Sequence, residues 1–300
     1  FVLDTIDQCH QKGIKGLCII TAGFKETGKE GAEAEKQLLE KVREYGMRCV
    51  GPNCLGVVNT HPDIRMDGCF AESLPERGNI GFVSQSGALG GGILNILKDL
   101  NLGFAQFISI GNQADVNAET ALEYWENEPD VEQILLYMES IQNPANFRKL
   151  ASRITKKKPI LALKAGRSAA GASAASSHTG SLAGADKAAA ALLHQSGVIR
   201  EFSLQNLFET AKVFANCPIP KGDRVAIITN SGGPGIMATD AVCEYGMQMA
   251  KISDATKEKL RSFLPSAASV KNPIDMIASA PIEHYKQTLE TVIGDENVDM

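Results

Sequence analysis

The chain has 300 residues, enough for two or three domains at about 150 residues each, and an apolar fraction of 44% gives each a core, which excludes global disorder. Thirty Lys plus Arg against 35 Asp plus Glu leave a formal net charge of −5, which offers no basic face to a nucleic-acid partner. The longest apolar runs, such as Ala188 to Leu193, fall far short of the about 18 residues of a membrane span, and no signal-peptide pattern opens the chain, so a soluble, cytoplasmic protein is expected.

The first recognisable element is the short apolar run Leu17 to Gly23 (LCIITAG), which reads as a strand. Lys29 to Gly46 follows, with Ala34, Leu38, Val42 and Tyr45 at helical spacing until Gly46 stops the pattern. The same alternation continues through MRCV, IGFVS into a helix ending near Leu97, AQFISIG into AETALEYWENE, QILLYME into a helix before Ile154, and PILALKAG. Nearly continuous apolar strands separated by amphipathic helices predict parallel sheets covered on both faces, with ligands at the carboxyl ends of strands.

Two stretches have linker composition: Leu74 to Gly78 (LPERG) and Asn216 to Asp223 (NCPIPKGD). They divide the chain into residues 1–76, 77–217 and 218–300. Phe1 enters a helical pattern without a start Met, and the final ENVDM stops where another strand is due, so the chain reads as part of a longer polypeptide. Seven cysteines, an odd number without a CxxC pair, point to a reducing compartment, and no His or Cys spacing suits structural zinc, so no metal site is expected.

Phe82 to Ile93 (FVSQSGALGGGI) and Ile227 to Ala238 (IITNSGGPGIMA) match at an offset of 145, aligning Ser86 with Ser231 and Gly87 with Gly232. Each copy is a strand, a small-residue turn and a helix start. Glycine there either exposes backbone N–H groups to an anion, aided by the helix macrodipole, or permits close packing of helix on sheet. The two matching copies favour anion binding. Neither copy is a P-loop.

After PILALK, Ala165 to Asp186 consists almost wholly of Ala, Ser and Gly around one histidine, His178. Such a segment presents an imidazole able to act as base, nucleophile or phosphoryl carrier, although a solvated side chain has the same local signature. Glu139 ends the apolar strand QILLYME, where a carboxylate either orients an imidazole or is simply solvated.

GPNCLG (Gly51 to Gly56), SQSGAL ending at Leu89, SSHTGSLAG (Ser176 to Gly184), NSGGPG (Asn230 to Gly235) and NPID (Asn272 to Asp275) occur in this order. The set resembles the ADP-forming acyl-CoA synthetases, relatives of succinyl-CoA synthetase, over nearly the whole chain. The resemblance implies a partial Rossmann-type CoA-binding domain followed by two flavodoxin-like doubly wound subdomains. It also implies conversion of acyl-CoA, phosphate and ADP to acid, CoA and ATP through an acyl phosphate and a phosphohistidine. His178 matches the phosphorylated histidine and Glu139 the glutamate that orients it, although MESIQ replaces a Gly-rich sequence of the succinate branch. Ser86, Gly87 and Ala88 match one helix start aimed at the phosphoryl group, and Ser231, Gly232 and Gly233 match the second. Ile20, Thr21 and Ala22 match a loop that touches CoA, with Asn53 and Cys54 close by and Asn112 a candidate contact for the acyl group.

The same resemblance assigns ADP, ATP and magnesium to a separate ATP-grasp domain or subunit, and implies an oligomer. It finds neither the first CoA-binding strand with its glycine-rich turn nor an ATP-grasp module in these 300 residues, so weakened CoA affinity and no complete reaction are expected of the chain by itself. The competing class is an acyl-CoA-sensing regulatory module of a lysine acetyltransferase. His178 favours the enzyme, because a sensor needs no phosphoryl carrier.

Overall fold

A computed structural model describes residues 1–97, 99–171, 173 and 186–300. The chain divides into two compact units, Phe1–Cys217 and Pro218–Met300, with the boundary inside the NCPIPKGD stretch.

The first unit opens with helix α1 (Val2–Gln11), strand β1 (Gly16–Cys18), helix α2 (Lys29–Glu44) and strand β2 (Arg48–Val50). β1 and β2 pair in parallel, and Leu38 and Val42 of the predicted helical stripe are fully buried with Ile6, Ile19, Phe24 and Met47. The apolar run that begins at Leu17 is strand only as far as Cys18, and Ile20, Thr21 and Ala22 form an exposed loop at its carboxyl end.

The larger sheet has seven strands: β3 (Gly56–Asn59), β4 (Met66–Cys69), β5 (Arg77–Ser84), β6 (Phe104–Ser109), β7 (Gln133–Met138), β8 (Ile160–Lys164) and β9 (Ile199–Glu201). Their order is β4-β3-β6-β5-β7-β8-β9. From β6 through β9 every pairing is parallel, whereas β3 runs antiparallel to both β4 and β6. β3 and β4 were not foreseen: both are four residues long, and neither MDGC nor GVVN carries an extended apolar signature. They precede residue 77 and yet belong to this sheet.

Alternating residues of the central strands face two cores. Val83, Ile134, Leu136, Met138, Ile160 and Ala162 pack under helices α4 (Ala118–Trp125), α5 (Pro144–Ile154) and α6 (Asp186–Gln195). Ile80, Phe82, Leu135 and Leu161 pack under α3 (Gly87–Ile96) and α7 (Leu204–Asn216). Two covered faces make the doubly wound arrangement, and this is why the strands read as unbroken apolar runs.

The second unit is built on β10 (Arg224–Val225) and β11 (Ile228–Thr229), with α8 (Gly232–Glu244), β12 (Gln248–Met249), α9 (Asp254–Arg261), β13 (Ile274–Asp275) and α10 (Ile282–Ile293). β10 pairs with β12 and β11 with β13, both in parallel. Asn272 of the NPID motif fills the break between the two pairs. Its amide donates to the carbonyls of Val225 and Ala250, and its oxygen accepts from the Ile227 N–H, at 2.7, 3.1 and 2.9 Å. Asp299 and Met300 donate their N–H groups to the Arg224 carbonyl, and Met300 accepts from Ala226, so the final residues pair alongside β10. Among the described residues no helix is long and apolar enough to cross a membrane.

Candidate active site

β5, β6, β7 and β8 are in parallel register, with Ser84 opposite Ser109 and Tyr137, and Met138 opposite Lys164. Gln85, Ile110, Glu139 and Ala165, the residues that follow the strands, therefore emerge along one carboxyl edge. Gln85, which the sequence reading passed over, organises it. Its side-chain oxygen accepts from the backbone N–H groups of Glu139 and Ser140 at 2.8 and 3.1 Å, and its amide donates to Ser140 Oγ at 3.2 Å. The Glu139 backbone is thereby fixed as it leaves β7, with the residue 8% exposed.

On the neighbouring strand, Ser86 caps α3 by accepting from the Leu89 N–H, and Ser84 Oγ donates to the Ser86 carbonyl at 2.7 Å. Helix geometry leaves the Gly87 and Ala88 N–H groups without intrahelical partners, aimed outward where the macrodipole is positive. A Cβ on Gly87 would lie 3.3 Å from the Leu55 nitrogen, so this glycine lets the helix start against the GPNC turn.

That turn is tied to the same edge. The Leu55 N–H donates to Ser109 Oγ, and the Asn53 N–H donates to the Thr21 carbonyl. At Gly111, where φ is +51°, a Cβ would strike the carbonyl oxygens of Pro52 and Asn53. Asn112 then joins three segments. Its amide donates to Glu26 at 2.5 Å and to Glu35 at 2.8 Å, its side-chain oxygen accepts from Asn53, and its carbonyl accepts from the Lys25 ammonium. Burial works against the Glu26 carboxylate, but hydrogen bonds from Asn112, Gly23 and Phe24 hold it below the usual range. Both amide hydrogens of Asn112 are thus committed within the protein.

Lys164, also passed over, is 4% exposed and donates to the Ala165 carbonyl at 2.5 Å, and burial pulls its ammonium pKa down. It lines a cavity of about 570 Å³ together with Ser140, Ile141, Arg148 and Leu192. Gln85 and Lys164 have the signal that found Glu139, a polar or charged residue ending an apolar strand.

In the second unit Ser231 precedes α8 and makes no side-chain cap. Thr229 Oγ1 donates to the Ser231 carbonyl at 2.9 Å, as Ser84 does to Ser86, so the two copies of the repeat share one local device. A Cβ on Gly233 would meet nothing within 4 Å, and one on Gly232 only the Asp275 carboxylate at 3.7 Å. Packing therefore does not account for these two glycines. His178 lies outside the described residues. Among those described, no three or more His, Cys, Asp or Glu are placed to hold a metal ion.

Residues 77–214 match the succinyl-CoA ligase-like flavodoxin domain and residues 225–299 the ligase-CoA domain. The chain is 46% identical over 300 residues to the alpha subunit of ADP-forming acetate–CoA ligase II of Pyrococcus furiosus, covering all of this chain and 65% of that one. It is 41% identical over 295 residues to the ADP-forming acetate–CoA ligase I of Archaeoglobus fulgidus, covering 98% and 42%. The dinucleotide-forming acetyl-coenzyme A synthetase 1 of Candidatus Korarchaeum cryptofilum, solved with phosphate and ADP, superposes with a TM-score of 0.93 at 35% identity over 99% of this chain and 64% of that one. The chain spans less than two thirds of the length of each. Two domain matches in the order of the sequence motifs, and whole-chain identity to such ligases, place the chain among the ADP-forming acyl-CoA synthetases of the succinyl-CoA synthetase-like superfamily.

Proposed function

We propose that the chain is the CoA- and phosphohistidine-bearing part of an ADP-forming acid–CoA ligase. In this reading phosphate attacks the thioester carbonyl of acyl-CoA, the CoA thiolate leaves, and acyl phosphate remains. His178 attacks phosphorus, the carboxylate departs as free acid, and ADP takes the phosphoryl group from the imidazole to become ATP. Glu139 accepts from one imidazole N–H and leaves the other nitrogen free to attack. The backbone N–H groups that follow Ser86 at Gly87 and Ala88 stabilise the phosphoryl oxygens, and Ser231, Gly232 and Gly233 do the same at the second helix start.

Ile20, Thr21, Ala22, Asn53 and Cys54 face CoA in this reading. The exposed loop after β1, held to Asn53 through the Thr21 carbonyl, suits a ligand contact. Asn112 fixes that loop against the sheet edge and is the candidate contact for the acyl group. ADP, ATP and magnesium are bound by an ATP-grasp domain or subunit, in an oligomer in the cytoplasm.

The observation that carries the reading is the edge itself. Glu139, pinned by Gln85, and the open start of α3 stand at the carboxyl ends of adjacent strands β7 and β5. The regulatory alternative gains nothing from the relatives compared, which are named as ligases. The test is to supply the complete enzyme with labelled ATP and magnesium and to look for an acid-labile, base-stable label. His178→Ala should abolish it, and a label that survives this substitution overturns the assignment.

A further inference from the structure

Cys18 closes β1 and is exposed, whereas Cys54 in the GPNC turn is 4% exposed. Their sulfurs lie 3.8 Å apart although 36 residues separate them in sequence. The segments that carry them are already joined between the residues that follow Cys18 and those that precede Cys54. The Ile19 N–H donates to the Val50 carbonyl at 2.9 Å and the Asn53 N–H to the Thr21 carbonyl at 3.0 Å. An S–S bond of roughly 2.05 Å needs the two sulfurs to approach by less than about 2 Å.

The two thiols differ in kind. The hydrogen bond between them pulls the Cys18 thiol down, and the same bond together with burial pushes Cys54 up. The exposed sulfur is thus the better nucleophile and the buried one is placed to resolve. Cys49, the other buried thiol nearby, is pushed up to about 12, chiefly by burial, and stays protonated at neutral pH.

We propose that Cys18 and Cys54 form a reversible disulfide, a redox-modification site at the junction of β1 and the GPNC turn. Cys18 thiolate attacks a small-molecule disulfide R–S–S–R, the S–S bond breaks, and one R–S⁻ leaves with the proton of the Cys18 thiol. Cys54, giving its proton to the departing group, then attacks the Cys18 sulfur of the mixed disulfide and releases the second R–SH. The protein dithiol loses two electrons and two protons, and the reagent disulfide is reduced to two thiols.

The 300-residue chain is incubated with oxidised glutathione, unfolded in alkylating agent, digested and analysed by mass spectrometry. The expected product is a Cys18–Cys54 linked peptide that dithiothreitol removes. Cys18→Ser should abolish the link, and Cys54→Ser should leave glutathione attached to Cys18. A wild-type chain in which Cys18 retains glutathione while Cys54 is alkylated overturns the proposal, as does a link from Cys54 to any other cysteine. The link should form equally in His178→Ala, which separates this result from the fate of the ligase reading.

Discussion

The side-chain amide of Asn112 donates to the carboxylate of Glu35 at 2.8 Å across 77 residues of sequence, and its second hydrogen goes to Glu26. This one residue locks helix α2 and the loop after β1 onto the carboxyl edge of the seven-stranded sheet. Asn112→Ala takes one amide donor from each of two carboxylates, leaving Glu26 its backbone donors at Gly23 and Phe24 and Glu35 its contacts with Lys25. The expected loss is about 2–4 kcal/mol of unfolding free energy by urea denaturation, from two hydrogen bonds to charged groups. Asn112→Asp should fall further at neutral pH, since it sets a third carboxylate against the first two. An Asn112→Ala variant within about 0.5 kcal/mol of wild type refutes the locking role.

Glu139→Gln preserves shape and removes the charge that, in the proposed mechanism, orients the His178 imidazole. In the complete enzyme it should slow histidine phosphorylation within the ~10²- to 10⁴-fold range of groups that position or move protons. Rapid-quench labelling reads this directly, and a rate within about twofold of wild type assigns the acid a structural part. Gln85→Ala should act on the same step through the Glu139 backbone, and should also cost about 2 kcal/mol or more of stability by orphaning two N–H groups.

Gly233→Ala separates ligand approach from packing. A Cβ there meets nothing within 4 Å, so thermal unfolding should stay at the wild-type value or rise slightly with the better helix propensity of alanine. If the helix start cradles a phosphoryl group, the methyl hinders it, and KM for phosphate should rise about tenfold, equivalent to one charge-assisted hydrogen bond of about 1.4 kcal/mol. An unchanged KM removes this residue from the phosphate site.

Hydrogen bonds from the Arg224 guanidinium hold the Asp299 carboxyl at about 2, below its ordinary 3.8. A carboxyl held down by folding contributes stability that is present above pH 3.8 and is lost as pH falls toward 2. Thermal melts from pH 5 to pH 2 should show the second unit losing stability across this window. Arg224→Gln, which removes the ionic partner, should flatten that slope, and an unaltered slope in the variant shows that another group governs it.

Helices α2 to α5 were legible because their apolar spacing is local: Leu38 and Val42 lie four residues apart and both are fully buried. The carboxyl-edge position of Glu139 was legible for a similar reason, since a charge ending an apolar run marks where a strand leaves the core. Gln85 carries the same strand-end signal, but its role was not legible, because its partners at positions 139 and 140 lie 54 and 55 residues away. The same holds for the partners of Asn112, since Glu26 and Glu35 lie 86 and 77 residues away.

The sequence by itself determined the alternation of strand and helix, the burial of both sheet faces and the family, because hydrophobic period and motif order are properties of neighbouring residues. Tertiary structure alone decided that β3 and β4 join the large sheet, with β3 antiparallel to both its neighbours, that Asn272 bridges the break between β10 and β11, and that Cys18 meets Cys54. Each of these depends on which segments become neighbours once the sheets assemble, and burial periodicity records that a residue is covered without recording by what.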